Sequence, residues 1–253
     1  MLVAAAVCPC PPLLVPEVAS GAAPELDAAR AACATALGVL ATALPDRLVI
    51  VGPAGASGDG AHPEGTDPRT EEPVPYVEGT PGSFRGFGVD VGVRLGCGEP
   101  DTPAPGAELP PSLAVAAWLL DCTEWAGVPV EGLALGQRLP AERCVLAGRE
   151  IAARSERVAL LVMGDASACR TLKAPGYLDE RAAGFDAEVA RALGAVDTDA
   201  LKALDAGLAY DLKAAGRAPW QFLAGAAEDA DLSGSLLYDD APYGVGYLVA
   251  TWS

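Results

Sequence analysis

Val3-Ala4-Ala5-Ala6-Val7-Cys8-Pro9-Cys10-Pro11-Pro12-Leu13-Leu14-Val15-Pro16-Glu17 opens the chain as a short apolar run that breaks against prolines. The run is too short for a helix. Small and branched residues halted by Pro9 read as a fully buried strand that ends in a turn. In open α/β sheets, ligands sit just beyond the carboxyl ends of such strands. Cys8 and Cys10 therefore stand where a site is expected.

Working outward, residues 25–44 place Leu26, Ala29, Cys33, Leu37 and Leu40 at spacings of three and four, which predicts an amphipathic helix ended by Pro45. Residues 47–53 read as a second buried strand. The strand-helix-strand order implies a parallel pair with a right-handed crossover. Residues 54–81 carry no apolar period and hold the chain's one histidine, His62. A loop of that length is functional or disordered.

Residues 83–95 alternate apolar and polar, which predicts one edge or antiparallel strand, followed by a Pro-rich loop to Pro111. Ser112 is expected to cap a helix running to Trp125. A strand over 130–135, a helix over 140–153 and a strand over 157–163 follow, the last ending in Gly164-Asp165-Ala166-Ser167-Ala168-Cys169. Residues 178–225 read as three helices, and 235–238 and 246–252 as two closing strands. The expected fold is α/β over a single domain, residues 1–253. Its central sheet is mostly parallel, with helices on both faces and long loops at the C-terminal strand ends.

Composition narrows the functions. Apolar residues make up 51% of the 253 but aromatics only 6%, so the core must be built from Ala, Val and Leu. A formal charge of −17 opposes binding to nucleic acid or anionic membranes and leaves a small molecule or a protein as partner. Seven irregularly spaced cysteines do not resemble a secreted disulfide framework, which implies reduced thiols and a cytoplasmic protein. The first apolar run lacks a basic flank and is too short for a signal peptide.

Generic catalytic motifs are absent. Gly52-Pro53-Ala54-Gly55-Ala56-Ser57-Gly58 lacks the Lys-Ser/Thr of a phosphate loop and the spacing of a dinucleotide fingerprint. No nucleophile elbow accompanies His62. Cys8-Pro9-Cys10 is too close for a zinc knuckle, so a thiolate site would need Cys169 from a neighbouring strand end. Buried thiols acting as small apolar groups are the plainer reading. Asp165 can orient a ligand or cap the next turn.

Five segments, in order, carry a likeness. They are Pro9-Cys10-Pro11-Pro12-Leu13-Leu14, Gly52-Pro53, Gly164-Asp165-Ala166-Ser167, Gly216-Arg217-Ala218-Pro219 and Pro242-Tyr243-Gly244. Together they resemble the catalytic B subunit of class III extradiol ring-cleavage dioxygenases (LigB-like) and the related Memo-like proteins. The resemblance implies a LigB-like fold and an Fe(II) site. It also implies that Cys10 replaces one iron-binding histidine and that the second histidine is missing from Ala54-Gly55-Ala56. Ala168 would then occupy the histidine acid/base position, and the last ligand would fall near Ala215-Gly216-Arg217.

A facial set of two imidazoles and a carboxylate is what non-haem iron wants. Its loss implies a non-catalytic homologue that needs no cofactor and keeps a cleft for a small molecule or partner. That cleft would be lined by Cys8, Cys10, Pro11, Pro53, Ala54, Asp165, Ser167, Arg217 and Tyr243. The alternative is an active, dioxygenase-like oxidoreductase with a rearranged metal site using Cys10, His62 and Asp165. A soft site of Cys8, Cys10 and Cys169 would suit zinc or cuprous copper. Family members assemble as oligomers, so self-association, or pairing as an acidic subunit with a catalytic partner, is a further expectation.

Overall fold

The computed structural model describes residues 1–55, 72–98, 108–123, 125 and 127–253. In chain order the elements are β1 (Leu2–Cys8), α1 (Pro16–Ala19), α2 (Asp27–Thr42), β2 (Arg47–Pro53), β3 (Val74–Tyr76), β4 (Pro81–Ser83) and β5 (Gly92–Arg94). They continue as α3 (Pro111–Cys122), β6 (Val130–Leu135), α4 (Ala141–Ala152), β7 (Val158–Met163), α5 (Ala182–Ala195) and α6 (Thr198–Lys202). The chain closes with α7 (Ala206–Asp211), α8 (Arg217–Ala226), β8 (Gly234–Asp240) and β9 (Tyr247–Trp252).

Seven strands form the main sheet in the order β3-β6-β2-β7-β1-β9-β8. The four central strands β6, β2, β7 and β1 are parallel, and β3 and β9 pair antiparallel to them. The fold is thus mixed α/β with helices on both faces. Side chains alternate across a strand, and β1 shows it: Ala4, Ala6 and Cys8 enter one core with α2 and α3 residues, while Ala5 and Val7 enter the other with α4, α5 and α8 residues. Fully buried strands need continuous apolar runs, and β7 is buried at every position.

Small residues set how closely the layers approach. A Cβ added to Gly148 of α4 would lie 2.0 Å from the Phe222 carbonyl oxygen of α8, and one on Gly225 would lie 2.1 Å from that of Val145. These two helices meet backbone to backbone.

Three expectations need correction. Residues 83–95 are not one strand: β4 and β5 form a separate antiparallel hairpin with a turn at Arg85–Phe87, and Gly88 takes φ 84°. The apolar alternation is the same for a strand and for a hairpin arm with an aromatic turn. Ser112 does not cap α3; Pro110 holds that place, and the Ser112 hydroxyl donates to the Pro53 carbonyl at 2.7 Å. Residues 178–225 form four helices, because Asp197 and Asp205 each accept a backbone N–H and start separate short helices. Among the described residues, no helix is long and apolar enough to cross a membrane.

Candidate functional site

The C-terminal ends of β1 and β7 lie side by side, with Cys8 paired to Met163 and the Gly164 N–H donating to the Cys8 carbonyl at 3.0 Å. Beyond them the chain turns twice. After β1, Pro11 is buried, and its carbonyl accepts the Leu14 N–H at 3.0 Å to start a 3-10 turn. After β7, Asp165 projects into the gap, and its Oδ1 accepts the Cys10 backbone N–H at 2.8 Å. The two stretches singled out in the sequence therefore meet through one hydrogen bond.

Asp165 is half-buried. Burial pushes its carboxyl up to about 7, against the pull of the Cys10 hydrogen bond, because a charged carboxylate loses hydration there. The Cys10 thiol, 7% exposed, is pushed well up as well, first by burial and then by the Asp165 charge. Tyr247, the first residue of β9, completes the group. It is 2% exposed, and its phenol is raised by burial first, then by the Asp165 and Cys10 charges. A carboxyl that titrates near neutrality beside a protonated thiol and a phenol can donate or accept a proton or orient a polar ligand.

The surrounding walls are fixed by backbone. A Cβ on Gly164 would lie 2.4 Å from the Gly216 Cα, so the β7 turn and the start of α8 touch directly. The Gly216 N–H donates to the Asp165 carbonyl at 2.9 Å. Ser167, expected in the cleft, is instead fully buried: its N–H and hydroxyl both donate to Asp186 at 2.8 Å, and Arg170 donates to the same carboxylate at 2.9 Å. Its role is to hold the turn. Ala168 has its N–H bonded to the Leu212 carbonyl and its carbonyl to the Gly176 N–H.

Arg217 is also structural, being 2% exposed and donating to the carbonyls of Gln137 and Leu139 and to Gln221 Oε1. Pro53 is buried and tied to Ser112, and Ala54 is half-buried with its N–H on the Leu135 carbonyl at 2.8 Å. Tyr243 sits on the outside, 40% exposed with φ 60°, and its hydroxyl donates to Glu25 at 2.8 Å.

The three thiols expected to form a soft site do not gather. Cys8 packs in the α2–α3 core, where its hydrogen bond with the Cys33 thiol, and then burial, raise its pKa. Cys169 belongs to the opposite core and donates to the Leu212 carbonyl at 3.5 Å. The expected soft site of Cys8, Cys10 and Cys169 is therefore split across the sheet. His62 lies outside the described residues, and among those described no group of three or more His, Cys, Asp or Glu is placed to hold a metal ion. The donors that do meet are a thiol and a carboxyl, both shifted toward their protonated forms, and a phenol. They do not fit the two imidazoles and carboxylate that ferrous iron takes in such sites.

Sequence reading missed Asp186 and Tyr247. Asp186 sits within the helical period of α5 and carries no local mark. Tyr247 follows the Pro-Tyr-Gly turn, and a polar-tipped aromatic opening a buried strand was the available signal.

Neither a protein-family model nor a curated protein matches the sequence. Among solved structures, an uncharacterized protein of Escherichia coli K12, JW3007, is similar to the chain with a TM-score of 0.52 and 16% identity, covering 99% of each chain. That likeness is one of fold.

Proposed function

We propose that the chain is a LigB-like protein that binds a small polar molecule at the ends of β1 and β7 and does not cleave aromatic rings. The observation that carries the reading is the Cys10–Asp165 contact at the strand ends, where burial pushes the pKa of a half-buried carboxyl up to about 7. A carboxyl with that pKa is at once a hydrogen-bond acceptor and donor near neutral pH, so it suits a hydroxyl-bearing ligand. On the resemblance, Cys10 and Ala54-Gly55-Ala56 stand where iron-binding imidazoles would be, and Ala168 where the acid/base histidine would be, which removes the donors and the proton carrier that iron-dependent oxygen activation uses.

The test combines metal analysis of protein purified without chelator, oxygen uptake with catechol and protocatechuate after ferrous iron is added, and thermal shift with the same two probes. The expected outcome is iron far below one per chain, no oxygen uptake, and a probe-induced rise in Tm that disappears in Asp165→Asn. Stoichiometric iron with oxygen uptake would establish the alternative, a rearranged oxidoreductase site drawing on His62. Absence of any probe-induced shift overturns the binding reading.

A further inference from the structure

A cavity of about 460 Å³ lies at the β3 edge of the sheet, between β3, β6 and α4, away from Asp165. Its volume falls within the range of small-molecule sites. The apolar walls come from Pro73, Pro75 and Val77 on one side, and Leu133, Leu146 and Ile151 on the other. Pro75 lies in β3, and Pro73 and Val77 flank it at alternate positions. Val77 is 57% exposed and Leu146 45% exposed, so the apolar lining continues to the mouth.

The polar lining is unequal in charge. Glu72, Glu131 and Glu150 stand against Arg143 and Arg154. Arg143 pairs with Glu72 at 3.3 Å, and Arg154 approaches Glu131 Oε1 at 3.6 Å, beyond hydrogen-bond range. Arg47, from outside the cavity, donates to Glu131 Oε2 at 3.1 Å. Glu131 Oε1 is thus a buried acceptor with no hydrogen bond, and Glu150 has no ion-pair partner among the described residues. A buried acceptor left without a donor is costly. A ligand bringing a donor would recover that, and the chain's −17 charge favours a cation.

We propose that this cavity binds a small organic amine, a monocation whose ammonium is recognised by Glu131 and Glu150 while a compact apolar body lies against Pro75, Val77 and Leu146. The inference does not depend on the strand-end reading.

Isothermal titration calorimetry on the full chain tests it with three probes of one shape: 2-phenylethylamine, 2-phenylethanol and 3-phenylpropionate. The amine is expected to bind once per chain, with the alcohol about 10-fold weaker and the carboxylate not binding. Glu131→Gln should weaken the amine about 10-fold and Glu150→Gln, at an exposed site, about 3-fold. Leu146→Trp fills the mouth from an exposed position and should abolish binding. It carries the test if Glu131→Gln fails to fold. Asp165→Asn should leave amine binding unchanged. The proposal is overturned if the amine does not bind at millimolar concentration, if the carboxylate binds as well as the amine, if Leu146→Trp binds normally, or if Asp165→Asn removes binding.

Discussion

At the ends of β1 and β7, the reactive groups are crowded and the walls are backbone. Gly164 touches Gly216, and main-chain bonds join Asp165 to Gly216, Ala166 to Gly246 and Ala168 to Leu212. At the β3 edge the opposite holds: the lining is side chain, two of its apolar members are largely exposed, and about 460 Å³ stays open. The crowded reactive groups and the open β3-edge cavity thus lie in different parts of the molecule. Substitutions in the first region act through the fold, whereas those in the second can act one side chain at a time.

The largest expected effect breaks the first region alone. Gly164→Ala places a Cβ 2.4 Å from the Gly216 Cα, and the atom it meets is backbone rather than a flexible side chain. Overpacking of a closed site typically costs 1–3 kcal/mol, and backbone on both sides puts this change at about 3 kcal/mol. Urea unfolding should show that loss. Folded protein remaining at low temperature should still bind 2-phenylethylamine. A loss well under 1 kcal/mol would mean that the β7 turn and α8 can separate, and the contrast between the two regions would fail.

The second effect concerns the carboxyl itself. Because Asp165 has a folded-state pKa of about 7 against an ordinary value of 3.8, the folded state holds more protons between those values. Its contribution to stability is therefore fully present at low pH and is lost as pH rises toward 7. A rise from 3.8 to about 7 corresponds to about 4 kcal/mol at most, and partial hydration of a half-buried group brings this to about 2 kcal/mol. Asp165→Asn, which can still accept the Cys10 N–H, should gain about that much at pH 8 and almost nothing at pH 4. Thermal unfolding across that range checks it, and equal shifts at both pH values would remove the carboxyl's special state.

The same contrast explains what was legible in the sequence. β6 runs over Val130–Leu135 as its apolar pattern implies, and β1 and β7 are found where Pro and Gly stop branched runs. Cys10 and Asp165 could be placed because a strand-end rule names positions without needing contacts. Ser167 was placed correctly along the chain but given the wrong role, since its partner Asp186 comes from a helix face where an acid ordinarily meets water. The hairpin inside residues 83–95 was hidden because apolar alternation does not reveal a reversal. Gly86 and Gly88 were the punctuation that could have shown it. The β3-edge cavity had no sequence signal, because it is defined by the gap between β3 and α4 rather than by any motif.

The smallest effect lies on the other side of α4, which faces α8 as well as the cavity. Glu228 is held down to about 2, first by the hydrogen bonds from Arg149 and then by those from Lys202. Arg149 reaches it at 2.7 Å through Nη2, and Lys202 also at 2.7 Å. The Arg149 side chain is 54% exposed, so solvent screens most of the pair's energy, and Lys202 remains when Arg149 is removed. Arg149→Ala should therefore cost about 0.5 kcal/mol at pH 7 in low salt, and less as salt is added. A carboxyl with a depressed folded pKa stabilises above its ordinary value and loses that contribution as pH falls toward the folded one. The difference between wild type and variant should accordingly shrink from pH 4.5 to pH 2. A loss of 2 kcal/mol or more would show that α4 is held by charge on its α8 side rather than by the backbone contact at Gly148 and Gly225, and would make that face as closed a unit as the strand ends.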